Sequence, residues 1–104
     1  MEDLKARVLQ AVLATIDDVN EFLPSERRLE RSATTQLFGE RGALDSLGLV
    51  NFLVSLEGRL ADEFGQPVSL VDDRALSQRA SPFRTVHSLA EYATRLIEEA
   101  RRDG

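Results

Sequence analysis

A chain of 104 residues, 42% apolar and 30% charged, can bury one small core and is too apolar to stay disordered, so a single domain spanning 1–104 is expected. Its net charge of −5 argues against nucleic acid, which needs a basic surface to displace counterions; an acidic surface would speed association with basic protein partners, although charge alone fits plain solubility better. The absence of cysteine excludes disulfides, thiolate metal sites and a cysteine nucleophile, and any thioester chemistry would need a thiol from outside the sequence.

Only 3 prolines and 6 glycines suit helices better than many short strands. No run of about eighteen apolar residues is present, so no membrane span is expected. The opening MEDLKARVLQAV mixes charges into its apolar positions and lacks a signal-peptide core, which makes a cytoplasmic protein the expectation. Over residues 3–22, Leu4, Val8, Val12, Ile16 and Val19 recur at three- and four-residue steps and predict an amphipathic helix, ended by Leu23-Pro24. Residues 25–45 are less regular. SERRLERSATT is polar and holds at most a short helical turn, while Leu37, Phe38, Ala43 and Leu44 beside Gly39 and Gly42 read as anchors and turns of a long loop.

A second helix is predicted from Asp45 or Ser46, either of which makes a good N-cap, to about Phe64. Leu47, Val50, Leu53 (or Val54), Leu56 and Leu60 form its apolar stripe, widened by Leu49 and Phe52, and Gly65 is a natural left-handed terminator. In residues 66–82, Val68, Leu70, Val71 and Leu76 offer buried contacts, and LVDDRALSQR predicts a short helix. Thr85 is the predicted N-cap of a last helix with Val86, Leu89, Tyr92 (or Ala93), Leu96 and Ile97 inside, followed by the solvated Glu98, Glu99, Arg101 and Arg102. The expected fold class is all-α: three main helices and one short one around a single core.

Ser46 is the candidate for chemistry. In GALDSLGLV it stands where an irregular loop meets the N-terminus of an apolar helix, and free backbone amides and the helix dipole there favour an attached phosphate. A bare N-cap serine is the alternative that the Asp-Ser pair alone would deserve.

The surroundings add to the pair. LDSLG at the head of the second long helix resembles the modification motif of acyl carrier proteins, in which the serine after the aspartate receives 4′-phosphopantetheine from coenzyme A. LGLVNFLVSLEGRLADEFG is similar to that family's second helix with its closing E-F-G, and FRTVHSLAEYATRLI to its final helix with a T-V-x-x-L start. Leu37-Phe38, Gly42 and Leu44 match the loop leading to the serine, so the resemblance spans residues 37–97. It implies an acyl-carrier-like four-helix bundle with a long first loop, monomeric, that is not itself an enzyme. Ser46 would carry covalent 4′-phosphopantetheine, whose thiol holds acyl intermediates as thioesters for fatty acid, polyketide or related biosynthesis. The implied partners are a phosphopantetheinyl transferase, which supplies magnesium and catalysis, an acyl-loading ligase or transferase, and synthase enzymes. Asp45 would present the serine to the transferase, and Leu47 and Val50 would contact partners or the arm, with core packing as their alternative.

Some residues depart from the commonest pattern. Gly48, Asn51, Gly58 and Arg59 stand where carriers of primary fatty acid synthesis show acidic residues, Glu57 remains, and residues 66–82 are longer than in compact carriers. This favours a specialised carrier with its own ligase or synthase. A D-alanyl or other aminoacyl carrier is the nearest competitor, and an unmodified helical interaction module the next; the paired glycines of peptidyl carriers are missing from ALDSLG. A serine hydrolase pairing Ser46 with His87, the only histidine, lacks a G-x-S-x-G elbow. Asp17-Asp18 and Asp72-Asp73 are adjacent carboxylates that diverge on a helix, so no metal site is expected.

Overall fold

Asp3 opens the first helix, its carboxylate accepting from the Lys5 amide at 3.1 Å. The structure is a computed structural model that describes residues 3–38, 42, 44–70 and 82–103. Among these, α1 (Leu4–Asn20), α2 (Ser46–Phe64) and α3 (Val86–Asp103) carry an all-helical fold, and α1 packs against both others. The short helix expected over LVDDRALSQR lies, from Val71 on, outside the described residues.

Helix α1 buries Val8, Val12 and Ile16 completely, as the periodicity predicts, and leaves Leu4 and Val19 half-buried at its ends. Its α-helical turns stop at Asn20, short of the expected Phe22, and tighter i→i−3 bonds from the Phe22 and Leu23 amides carry the turn up to Pro24, which has no N–H to continue it. The Asn20 side chain accepts from the Leu29 amide at 2.7 Å and donates to the Leu29 carbonyl at 2.9 Å, turning the chain back. Leu29 is buried by that clamp. The polar run after Pro24 keeps a single 3₁₀ turn, Ser25–Arg27.

Helix α2 is capped at both ends by the expected residues. The Asp45 carboxylate accepts from the Gly48 amide at 2.7 Å, and Gly65 closes the helix at φ 72°. Its buried face is Leu49, Phe52, Leu53, Leu56 and Leu60. The predicted stripe therefore needs correcting at its first turn: Leu47 points to solvent, Val50 is only half-buried, and of Leu53 and Val54 it is Leu53 that enters the core. At 100° per residue Leu47 lies opposite the direction shared by Leu49, Leu53, Leu56 and Leu60. At the far end, the guanidinium carbons of Arg7 and Arg101 stand over the Phe64 ring, 4.5 and 5.6 Å from its centroid.

Helix α3 starts with a reciprocal cap. Thr85 Oγ1 accepts from the Ser88 amide and Ser88 Oγ from the Thr85 amide, both at 3.1 Å. Its inner face is Val86, Leu89, Ala90, Ala93 and Ile97, with Tyr92 half-buried edge-on to Phe83, ring centroids 5.9 Å apart. Buried Thr15 and Thr94 satisfy their hydroxyls by donating to the carbonyls of Ala11 and Ala90 one turn back. Leu37 and Leu44 are buried as loop anchors, and Val68, Leu70 and Phe83 complete the core from the connections.

Candidate functional site

The loop ahead of Ser46 is tied down on both sides. The Leu37 amide donates to the Arg84 carbonyl at 2.8 Å, and the Leu37 carbonyl accepts from the Leu44 amide at 3.0 Å. Inside this ring the backbone closes tightly: a Cβ on Gly42 would lie 2.5 Å from the Phe38 Cα and 2.6 Å from the Leu37 carbonyl oxygen. Only glycine fits there without moving backbone. Gly42, expected to mark a turn, is in fact required by close approach. Leu44 then drops into the core and fixes where Asp45 and Ser46 emerge.

At the head of α2, Asp45 is the N-cap and Ser46 the first helical residue. The Asp45 carbonyl accepts from the Leu49 amide at 2.8 Å, and its carboxylate holds the Gly48 amide. Among the described residues, the amides of Ser46 and Leu47 and the hydroxyl of Ser46 have no partner, and Ser46 is exposed. Because Asp45 does the capping, removing the Ser46 hydroxyl costs the helix no cap. An accessible hydroxyl beside two free amides at the positive end of a helix suits an anionic phosphodiester.

Leu47 is 70% exposed directly after the serine. On the α1 side of α2, a cleft of about 270 Å³ runs between Val19 and Leu23 on one wall and Gly48 and Asn51 on the other, with Phe22 at its rim. Neither the cleft nor Phe22, which is 86% exposed, stood out in the sequence, since the helical period continued through residue 22.

The other candidates are brought into no site. His87 is exposed and its Nε2 lies 3.2 Å from Glu91 Oε1, which also receives a hydrogen bond from Lys5. No hydrogen bond joins it to Ser46, so the nucleophile–base contact of a hydrolase is not present among the described residues. Asp17 pairs with Arg31 and Asp18 with Arg59, while Asp72-Asp73 lie outside the described residues. Among the described residues no group of three or more metal-ligating side chains converges, and no helix is long and apolar enough to cross a membrane.

Comparison with protein-family models, with curated proteins and with solved structures finds no match to this chain.

Proposed function

We propose that the chain is a carrier protein of the acyl-carrier type, a four-helix bundle in which Ser46 bears 4′-phosphopantetheine. The observation that carries the reading is the exposed Ser46 hydroxyl at the first position of α2, which, like the Ser46 and Leu47 amides beside it, has no partner among the described residues, with Asp45 doing the capping. These residues fit the group: the hydroxyl is the attachment point, and the free amides are donors for the phosphodiester oxygens. When bound, the group supplies the thiol that the cysteine-free chain lacks, and with it thioester chemistry.

Loading is a phosphoryl transfer made by a separate transferase. The Ser46 oxygen forms a bond to the phosphorus bearing the pantetheine. The anhydride bond to the adenosine 3′,5′-bisphosphate part of coenzyme A breaks, that bisphosphate leaves with the electron pair, and the serine proton passes to a base on the transferase. The chain's own contribution is positional. Asp45 fixes the first turn, Gly42 and the Leu37–Leu44 bond fix the loop, and Leu47 and Val50 border the serine. The cargo is an acyl or aminoacyl group, and specialised ligases or synthases are the partners in this reading.

The test is to incubate the purified chain with coenzyme A, magnesium and a broad-specificity phosphopantetheinyl transferase, then measure intact mass and free thiol. One phosphopantetheine gain and one new thiol are expected, both lost in Ser46→Ala. Because Asp45 is the cap, Ser46→Ala should change folding stability by less than about 0.5 kcal/mol. No gain beside a labelled control carrier would leave an unmodified helical interaction module as the better reading.

A further inference from the structure

The surface beside Ser46 is less charged than the chain as a whole. Net charge is −5, yet Leu47, Val50, Asn51, Val54, Ser55 and Gly58 follow the serine along the outer side of α2 with no charge among them. Glu57 turns away, accepting from the Leu70 amide at 2.5 Å. Leu47 and Val54 are 70% and 56% exposed, and residues seven apart share one helix face. The apolar cleft opens on the α1 flank of this ridge with Phe22 at its edge; its one charged lining residue, Asp18, is already held by Arg59. Single exposed apolar residues are ordinary, whereas a ridge continuous with an apolar cleft marks a contact surface.

We propose, building on the reading of Ser46 as the modification site, that the transferase acting on Ser46 seats on this ridge and cleft through apolar contacts, with Phe22 on α1 as a specificity-determining residue. Reach identifies what covers the surface. A specific contact covers about 800 Å² on each partner, a patch about 30 Å across. Leu47 adjoins Ser46, Gly48 at the cleft wall is two residues on, and Val54 lies about 12 Å along the helix. All fall within the footprint of an enzyme whose reacting atom is at the Ser46 oxygen. Charge identifies its chemistry. Among the described residues, the ridge from Leu47 to Gly58 carries no charged side chain on this side and Asp18 in the cleft is paired with Arg59, so a basic patch would find no row of free carboxylates along it. Cations buried against the ridge would stay unpaired, at a desolvation cost. The matching surface is therefore apolar, and its binding depends little on salt, unlike steering by net charge.

The test uses the full chain, coenzyme A, magnesium and a broad-specificity phosphopantetheinyl transferase, with transfer followed by intact mass. Phe22→Ser and Leu47→Ser are each expected to lower kcat/KM about tenfold, mainly through KM, with unchanged circular dichroism and melting because both side chains are exposed. Raising sodium chloride from about 0.05 to about 0.5 M is expected to change wild-type kcat/KM less than about threefold. Wild-type kinetics in Phe22→Ser, or a tenfold fall with salt, overturns the apolar seat while Ser46 still takes the arm. No mass gain on the wild type beside a labelled control overturns the Ser46 reading, and this proposal with it.

Discussion

The starts of α2 and α3 use the same device, a polar cap closing the first turn, and end in opposite states. At α3, the Thr85 and Ser88 amides are held by the reciprocal cap, and the Val86 and His87 amides donate to the Thr35 and Ala33 carbonyls at 3.0 and 2.9 Å. Carbonyls of the connection between α1 and α2 thus occupy the donors that the helix leaves open. At α2, among the described residues, only the Gly48 and Leu49 amides are taken, both by Asp45, while Ser46 and Leu47 are exposed. The same region serves both ends: the Ala33 and Thr35 carbonyls stitch α3 shut, and the Leu37–Leu44 backbone bond with buried Leu44 sets where α2 begins. The open start leaves room for the attached group proposed at Ser46, and the closed start shows that this fold is able to fill one.

The contrast breaks first where the loop closes. Gly42→Ala places a methyl inside the Phe38 and Leu37 backbone, and neither atom is the end of a movable side chain. Loss of about 1–3 kcal/mol is expected, read by denaturant unfolding, together with slower arm transfer to Ser46. Unchanged stability would mean that the loop around Gly42 relaxes freely and does not set the position of the serine. Next come the two caps. Thr85→Ala and Asp45→Ala should each cost about 1 kcal/mol in thermal melting, with only Asp45→Ala affecting modification. Equal effects of both on arm transfer would show that the difference between the helix starts does not matter to function.

A pair of glycine substitutions sharpens the comparison from inside α2. A Cβ on Gly58 meets nothing within 4 Å, whereas one on Gly48 would press on Asp45 Oδ1 at 3.1 Å and on the Leu44 side chain at 3.3 Å. Gly58→Ala is therefore expected to stabilise the protein by about 0.5–1 kcal/mol through helix propensity alone, raising the melting temperature with the same rate of arm transfer. Gly48→Ala should not share that gain. Two glycines in one helix thus separate a conformational weakness from a packed position.

Most of the helical frame was legible because periodicity and capping chemistry are local. Asp45, Gly65 and Thr85 occupy the positions their side chains or φ preference predict, and the buried faces of α1 and α3 follow the 3.6-residue repeat. The errors are non-local. Whether Leu47 or Leu49 faced inward depended on where the rest of the core lay, since both fit an apolar stripe next to the cap. Asn20 turns the chain through a residue nine positions ahead, and the pairing of Gln36 with Thr85 spans nearly half the chain. At the candidate site, Ser46 was legible from its motif and its place before a helix. Phe22 and the cleft were not, because an exposed aromatic at a helix end looks the same in sequence as a buried one.

The smallest expected effect lies where α1 ties down the closed helix start. Lys5 donates to Glu91 at 3.0 Å, and this hydrogen bond, then the Lys5 charge, then that of His87, hold the Glu91 carboxyl below its ordinary value of 4.5, with Arg95 adding to the lowering and slight desolvation opposing it. A carboxylate whose folded pKa is depressed adds stability above its unfolded value and loses it as pH falls through the folded one. Any contribution here is therefore present at neutral pH and fades below about pH 4.5. Glu91 is open to solvent, so the folding free energy should barely register it, and the sensitive readout is the side-chain carboxyl shift in an NMR titration. In Lys5→Met the Glu91 midpoint should rise toward 4.5, with Ser46 modification unchanged. An unmoved midpoint would mean that Lys5 does not hold Glu91 in solution, leaving the stitching of α3 to the residue 33–37 loop and its own cap.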